Sequence, residues 1–386
     1  MTQRLFDIDS KMRQFCATVL SCDKVGESEY SVVLDRTAFF PDEGGQSCDG
    51  GTIDGKDVKF VAERNGVIYH TLQAPVEVGE SVQGSIDLDA RFRKMQNHTG
   101  EHIISGLIHT HYGYNNVGFH LGEDDVTADF DGELSARDIK KIEELANAVV
   151  FSCRQVRAYY PSRDELSGLK YRSKLDITDG VRIVEIDGVD KCACCAPHVH
   201  NTGEVGLIKI LDFIRYKGGM RIHIQCGYDA LDDYRERYEQ VRAVSMAISA
   251  KQGEIGEGVN RLLDELGRQK GVISALRREI IQYKLDALQK SDGSICIFDD
   301  CDDAIALRNL ALSAVEKTER LLGVFSGDDV RGYRYVIASR NIDLRPIAKR
   351  INGELNGRGG GSDVMIQGSV SATCEAIEKL FARDEW

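Results

Sequence analysis

Two segments far apart in this chain, His98-Thr99-Gly100-Glu101-His102 and Cys194-Cys195-Ala196-Pro197-His198, each set two metal-binding side-chain types four residues apart. Residues four apart on a helix share a face, so His98 and His102 aim two imidazoles at one point. Cys194 and His198 close a tetrahedron from the other side. One thiolate with three imidazoles suits Zn²⁺. Either pair alone is as compatible with ordinary core or surface histidines and a buried thiol. Both together in one chain favour a shared ion, and any fold must then bring these two segments into contact.

The chain has 386 residues, enough for two or three domains with real cores. Its 5 prolines argue against long extended linkers, and a net charge of −13 disfavours indiscriminate polyanion binding. A nucleic-acid ligand needs only a local basic surface and is not excluded. Asp7, Asp9 and Lys11 interrupt the first twenty residues, unlike a signal peptide, and no stretch is long and apolar enough for a bilayer. A cytoplasmic protein that does not enter membranes is expected, with its 11 cysteines serving as reduced thiols and metal ligands.

An α+β fold in four parts is expected. Residues 1–90 alternate short β-rich runs (Tyr30–Leu34, Val58–Val61, Val67–Leu72, Ser81–Leu88) with glycine turns, giving a small β module. Its loop Thr37–Gln46 contains Gly44-Gly45, which taken alone reads as a plain turn. Residues 91–227 combine a helix carrying Met95, His98, His102, Ile103 and Leu107 at helical spacing, a second helix over Ala136–Val150 and strand-like runs around the cysteine cluster. The metal site is expected at the centre of this part. Residues 228–290 form a helical connector, which the glycines at 253, 256 and 258 favour folding into a hairpin; its apolar stripe reads as ordinary packing or a dimer seam. Residues 291–386 form an α/β module. There Gly357-Arg358-Gly359-Gly360-Gly361-Ser362-Asp363 reads either as a backbone nest for phosphate or as a flexible turn.

These residues together resemble a known family. Thr37–Gln46, His98–His102 and Cys194–Gly206 are similar to the editing domain of alanyl-tRNA synthetase and its free-standing relatives, the AlaX proteins. Arg358–Gly368 resembles the glycine-rich signature of the Asp-His-His-associated domain that ends those synthetases. The order of parts matches over nearly the whole chain, and no class II synthetase catalytic domain fits ahead of Thr37, which favours a stand-alone long form.

The resemblance implies hydrolysis of mischarged tRNA, removing serine and also glycine from alanine-specific tRNA. It assigns zinc to His98, His102, Cys194 and His198, and matches Gly44, Gly45 and Gln46 to the family's glycine-glycine-glutamine element, with Thr37 opening the motif. Cys194-Cys195-Ala196-Pro197-His198 departs from the usual Cys-Gly-Gly-Thr-His: the flexible glycine pair is replaced by stiffer residues, so the loop geometry decides whether Cys195 or Cys192 competes for metal. Four protein ligands leave zinc no vacant tetrahedral position, so an orienting role ranks ahead of water activation. Sparing alanine while destroying serine requires a polar pocket, whose buried groups go unpaired when the hydroxyl is missing. Thr37 is the first candidate to meet that hydroxyl and Gln46 the second, with Gly44 and Gly45 approaching the substrate. Arg91, Arg93 and Lys94, and Arg215, Lys217 and Arg221, are either phosphate contacts or a solvated surface. Editing of another mischarged tRNA, threonyl-type, and a non-catalytic zinc-containing tRNA-binding protein are the rival readings, and a homodimer through the connector and C-terminal module is a reasonable assembly.

Overall fold

The computed structural model describes residues 1–122, 125–173, 180–300, 303–383 and 385–386. Its helices and several separate sheets make an α+β protein, in two compact units, Met1–Ala243 and Val244–Trp386. The first unit takes in both the β module and the helix-containing part that follows it.

The β module closes into a six-stranded barrel. Strands β1 (Gln14–Lys24), β2 (Tyr30–Leu34), β3 (Gly51–Ile53), β4 (Lys56–Arg64), β5 (Val67–Leu72) and β6 (Ser81–Ile86) pair in the order β1-β2-β5-β4-β3-β6, and β6 returns to β1. The longest of them, β1, was not among the expected strands. Residues alternate inward and outward along it, so Phe15, Ala17 and Val19 are buried while their neighbours face water. Closure removes the unpaired edges that an open sheet of this size would present.

Directly after the barrel comes α1 (Leu88–Tyr112), capped by the Asp87 carboxylate, which accepts from Ala90 N, and ended by Gly113 in the left-handed conformation. It packs among β7 (Asn116–Leu121), β8 (Val126–Phe130), α2 (Ala136–Phe151), a three-stranded sheet of β9 (Val156–Tyr159), β10 (Ile183–Ile186) and β11 (Asp190–Ala193), and the hairpin β12 (Ile208–Tyr216) and β13 (Gly219–Cys226). Strands β12-β13-β8-β7 form one antiparallel sheet. The first unit ends within α3 (Gly227–Ala247).

Barrel and α1 are joined by a buried ion pair. Arg91 on α1 is 1% exposed; its Nε donates to Asp49 Oδ1 at 2.9 Å and its Nη2 also meets Asp49. The remaining donors reach Ser10 O at 3.0 Å and Ala38 O at 2.7 Å. Asp49 in turn accepts from Phe40 N at 2.6 Å. The expectation that Arg91 contacts tRNA phosphate is therefore corrected. A guanidinium sealed inside the protein and spent on one carboxylate and two carbonyls cannot reach a ligand in solvent.

In the second unit, α4 (Ile255–Ala287) precedes a five-stranded sheet formed by β14 (Ile295–Phe298), β15 (Leu322–Asp328), β16 (Gly332–Ala338), β17 (Gly357–Gly361) and β18 (Met365–Val370), in the order β14-β15-β16-β18-β17. Helices α5 (Ala304–Ala314), α6 (Leu344–Glu354) and α7 (Cys374–Ala382) cover it. Here a second expectation falls. The glycine-rich run is neither a phosphate nest nor a flexible turn: residues 357–361 are strand β17, paired along β18 with none of its glycines at positive φ. A Cβ on Gly359 would lie 2.3 Å from Tyr335 Oη and 2.5 Å from Gln367 O, so the glycine serves close strand approach. No helix among the described residues is long and apolar enough to cross a membrane.

Replacing Arg91 with alanine strands Asp49 in the interior. It should cost about 3–5 kcal/mol, read as a lower denaturant midpoint in equilibrium unfolding of the full chain.

Candidate metal centre

His98 and His102 lie on α1 one turn apart, and both are buried. Strand β11 carries the chain into Cys194, whose N–H donates to Arg182 O at 3.0 Å; Arg182 Nη1 holds the loop by donating to Cys194 O at 3.1 Å and Ala196 O at 2.8 Å. Ala196 sits at 0% exposure in the barrel core, and Ser10 Oγ donates to His198 O at 2.9 Å. The stiff Ala196-Pro197 pair is thus seated against the barrel, and it turns His198 back toward Cys194.

The four side chains meet. Their ligating atoms lie within 4.8 Å of one another. Cys194 Sγ is 3.5 Å from His98 Nε2 and 3.4 Å from His198 Nε2, close to the edge of about 3.5 Å in a tetrahedron around Zn²⁺ with ordinary bond lengths. Each imidazole has its other nitrogen occupied. His98 Nδ1 donates to Gln46 Oε1 at 2.9 Å, His102 Nδ1 to Asp190 Oδ2 at 3.0 Å, and His198 Nδ1 to Thr99 Oγ1 at 3.0 Å. That leaves three Nε2 lone pairs and one sulfur facing a common point, the outer-sphere arrangement that orients metal-bound histidines. The residues present fit a zinc ion. Burial opposes ionisation of Cys194, yet the surrounding imidazoles carry its thiol well below the usual range, toward the thiolate a metal requires.

Neither neighbouring cysteine belongs to this set. Burial pushes the Cys195 thiol up, and Cys194 and Glu43 push it further; Cys195 faces Gly44, whose added Cβ would lie 3.1 Å from its sulfur. Cys192, pushed up to about 11 by burial, groups instead with His102 and Asp190.

A cavity of about 360 Å³ opens beside the cluster. His98, His102 and Cys194 line it, together with Glu43, Gly44 and Glu101. Gly44 and Gly45 have φ of 65° and 81° and form a two-residue turn in which Glu43 and Gln46 exchange backbone hydrogen bonds. A Cβ on Gly45 would lie 2.5 Å from Phe119 O. The turn thereby brings Gln46 to His98, where its Oε1 accepts and its buried Nε2 has no protein partner among the described residues.

Thr37 is elsewhere, and its expected role as reader of a substrate hydroxyl is corrected. It is fully buried in the barrel. His70 Nδ1 lies 3.1 Å from Val32 O, so that nitrogen carries the proton and Nε2 accepts from Thr37 Oγ1 at 2.9 Å. Burial pulls His70 down to about 4, which keeps it a neutral acceptor. Phe39 N also donates to Thr37 Oγ1 at 3.1 Å, so the hydroxyl is committed to the fold.

The other basic candidates are not gathered at this cavity. Arg93 is shared between Asp229 and Asp232, Lys94 Nζ donates to the carbonyls of Ser47 and Cys48, Arg215 faces Glu133 and Arg221 grips Asp129. Lys217 rests over the Tyr216 ring, 5.0 Å from its centroid.

Three site residues were missed in the sequence. Glu101 lines the cavity and accepts from Ser105 and Asn116; its position between the two histidines was a usable signal. Asp190 alternates with Cys192 on the strand entering the cysteine cluster, a weaker one. Arg172 donates through Nε and Nη2 to Asp190 at 2.8 and 2.7 Å, and nothing local marks it.

Residues 181–262 match the family model described as the threonyl and alanyl tRNA synthetase second additional domain, and residues 8–90 match that of class II (A) tRNA synthetases. The chain is 30% identical to the alanyl-tRNA editing protein AlaX-L of Pyrococcus horikoshii, across 98% of each chain. It is 28% identical to the alanine–tRNA ligase of Ignicoccus hospitalis and 29% identical to that of Pyrococcus abyssi. In both cases 98% of this chain is covered, but it spans only 42% and 43% of those ligases.

If Asp190 orients His102 for an ion, Asp190→Asn should weaken Zn²⁺ binding about 10–100-fold. Cys194→Ala, which removes a ligand, should release the metal altogether. Competition with a chromophoric chelator measures both.

Proposed function

The chain belongs to the family of AlaX-L alanyl-tRNA editing proteins, and on that premise we propose that it hydrolyses serine, and glycine as a second substrate, from mischarged alanine-specific tRNA. The observation that carries this reading is the single cavity whose wall joins the three-imidazole, one-thiolate cluster to the buried carboxylate of Glu101.

An aminoacyl ester is already activated, so the site need supply only position, water and charge stabilisation. Zinc at His98, His102, Cys194 and His198 would contribute a fixed positive charge that orients the substrate. Gln46 holds the His98 ring, and Gly44 lets the chain pass close to a ligand. Selection falls to Glu101 in place of Thr37. Its carboxylate, steadied by Ser105 and Asn116, gives the cavity wall an acceptor for a serine hydroxyl. Alanine would forgo that added contact while Glu101 keeps Ser105 and Asn116, a difference of one charge-assisted hydrogen bond, worth about 10–100-fold in discrimination. Glycine lacks the hydroxyl as well, so this contact would not favour it over alanine, and its slower removal would rest on its smaller size.

The proposed setting is cytoplasmic, with tRNA as partner. Within α4 the expected apolar stripe is exposed, with Leu262, Leu266, Ile273, Leu276 and Ile280 each about half accessible, which supports a homodimer as part of the same reading. Exposed Lys217 and Arg215 are candidates for phosphate contact.

Deacylation of seryl-, glycyl-, alanyl- and threonyl-tRNA by the zinc-loaded protein tests the proposal. Fast loss of serine from alanine-specific tRNA is expected, with alanine spared. Hydrolysis confined to a threonine-specific tRNA, or none at all, would overturn it. Glu101→Gln should lower the seryl-to-alanyl rate ratio at least tenfold, while Thr37→Val leaves that ratio unchanged.

A further inference from the structure

Beside the cavity at the metal cluster lies a second one, of about 280 Å³, bordered by His109, Asn116 and Tyr171. Arg172, Ser173 and Cys192 line both. Of these three only Arg172 is cationic, and its side chain is 15% exposed. Two of its nitrogens are spent on Asp190, at 2.8 and 2.7 Å, while Nη1 has no protein acceptor among the described residues.

The reading of the first cavity as an aminoacyl-ester site is the premise here. An ester on the terminal ribose places the 5′-phosphate of that nucleoside next along the chain, with the penultimate nucleoside beyond it. We propose that Arg172 binds this phosphodiester at the wall between the cavities, and that the second cavity receives the nucleoside on its far side.

A guanidinium suits the post. Its planar fork can grip Asp190 with two donors and still offer a third to a phosphate oxygen, which a lysine ammonium cannot do with the same geometry. The other cationic residues on the first cavity are placed differently. Arg4 pairs with Glu63, while Arg182 Nε faces Asp7 Oδ1 at 3.1 Å and its Nη1 holds two carbonyls; neither borders the second cavity. Of the carboxylates on the first cavity, Glu101 is occupied by Ser105 and Asn116, and Glu43 lies at the Gly44-Gly45 turn. Because Arg172 also holds Asp190, and Asp190 holds His102, the same contact links the end of the nucleic acid to the metal centre.

The test uses a non-hydrolysable amide, 3′-serylamino-3′-deoxyadenosine, with and without a 5′-phosphate, bound to the zinc-loaded full chain and followed by calorimetry. The phosphate should tighten wild-type binding about tenfold, and the gain should shrink as salt rises. Arg172→Gln should abolish the gain and Arg172→Lys keep only part of it, with zinc content measured in each variant. An equal gain in a zinc-replete Arg172→Gln protein would overturn the inference. So would equal wild-type affinity for the two analogues, a comparison that stands even if the variants lose metal. Wild-type protein that binds neither analogue defeats the editing reading itself, whereas binding both alike defeats only the role of Arg172.

Discussion

The Arg91–Asp49 pair is the joint on which the first unit depends. Removing two charges from water costs several kcal/mol per ion unless each donor and acceptor is met, and here the protein meets them with one carboxylate, two carbonyls and a backbone N–H. Those groups come from the Ser10 segment, from the chain between Ala38 and Asp49, and from α1. Any rotation of the barrel against α1 would strand some of them. One relative position of barrel and helix is thereby selected, and with it the approach of Gln46 to His98 and of Ser10 to His198.

The candidate metal centre depends on that joint. Its four side chains come from α1 and from the loop after β11, but the groups that aim them are drawn more widely: Gln46 from the glycine turn, Asp190 from β11, and Thr99 from α1 itself. Such outer partners decide which imidazole nitrogen is free, and so whether four side chains near one another amount to a site. Arg172 extends the chain of contacts outward from His102 through Asp190 to the cavity wall. One line of hydrogen bonds thus joins the His/Cys cluster to the cavity wall.

The helices and strands could largely be read from periodicity. Tyr30–Leu34 and Val67–Leu72 were expected at the bounds they have, and Ala136–Val150 ends one residue short of the observed helix. β1 is harder to read because about half of its residues are exposed and polar or small, and only the alternation of Phe15, Ala17 and Val19 marks its buried face. The glycine run at 357–361 was misread because glycine permits both turns and close strand approach. Pairing along β18 and the close approach of Tyr335 and Gln367 to Gly359 distinguish the two. Thr37 and Arg91 were misplaced for a related reason: residue type and motif position suggest what a side chain can do, but burial determines whether it is free to do it.

The sequence by itself singled out the four side chains that meet at the candidate metal centre, because two pairs of soft and borderline donors at the same spacing favour a shared ion, and it marked many strands and helices through hydrophobic period and glycine turns. Tertiary structure alone decided which polar groups serve the fold and which face the cavity. Thr37 turned inward to His70, Arg91 was sealed with Asp49, and Glu101, Asp190 and Arg172 were brought to the site from three separate stretches of chain. Hydrogen-bond saturation and exposure are properties of residues meeting across long sequence separations, and no local pattern encodes them.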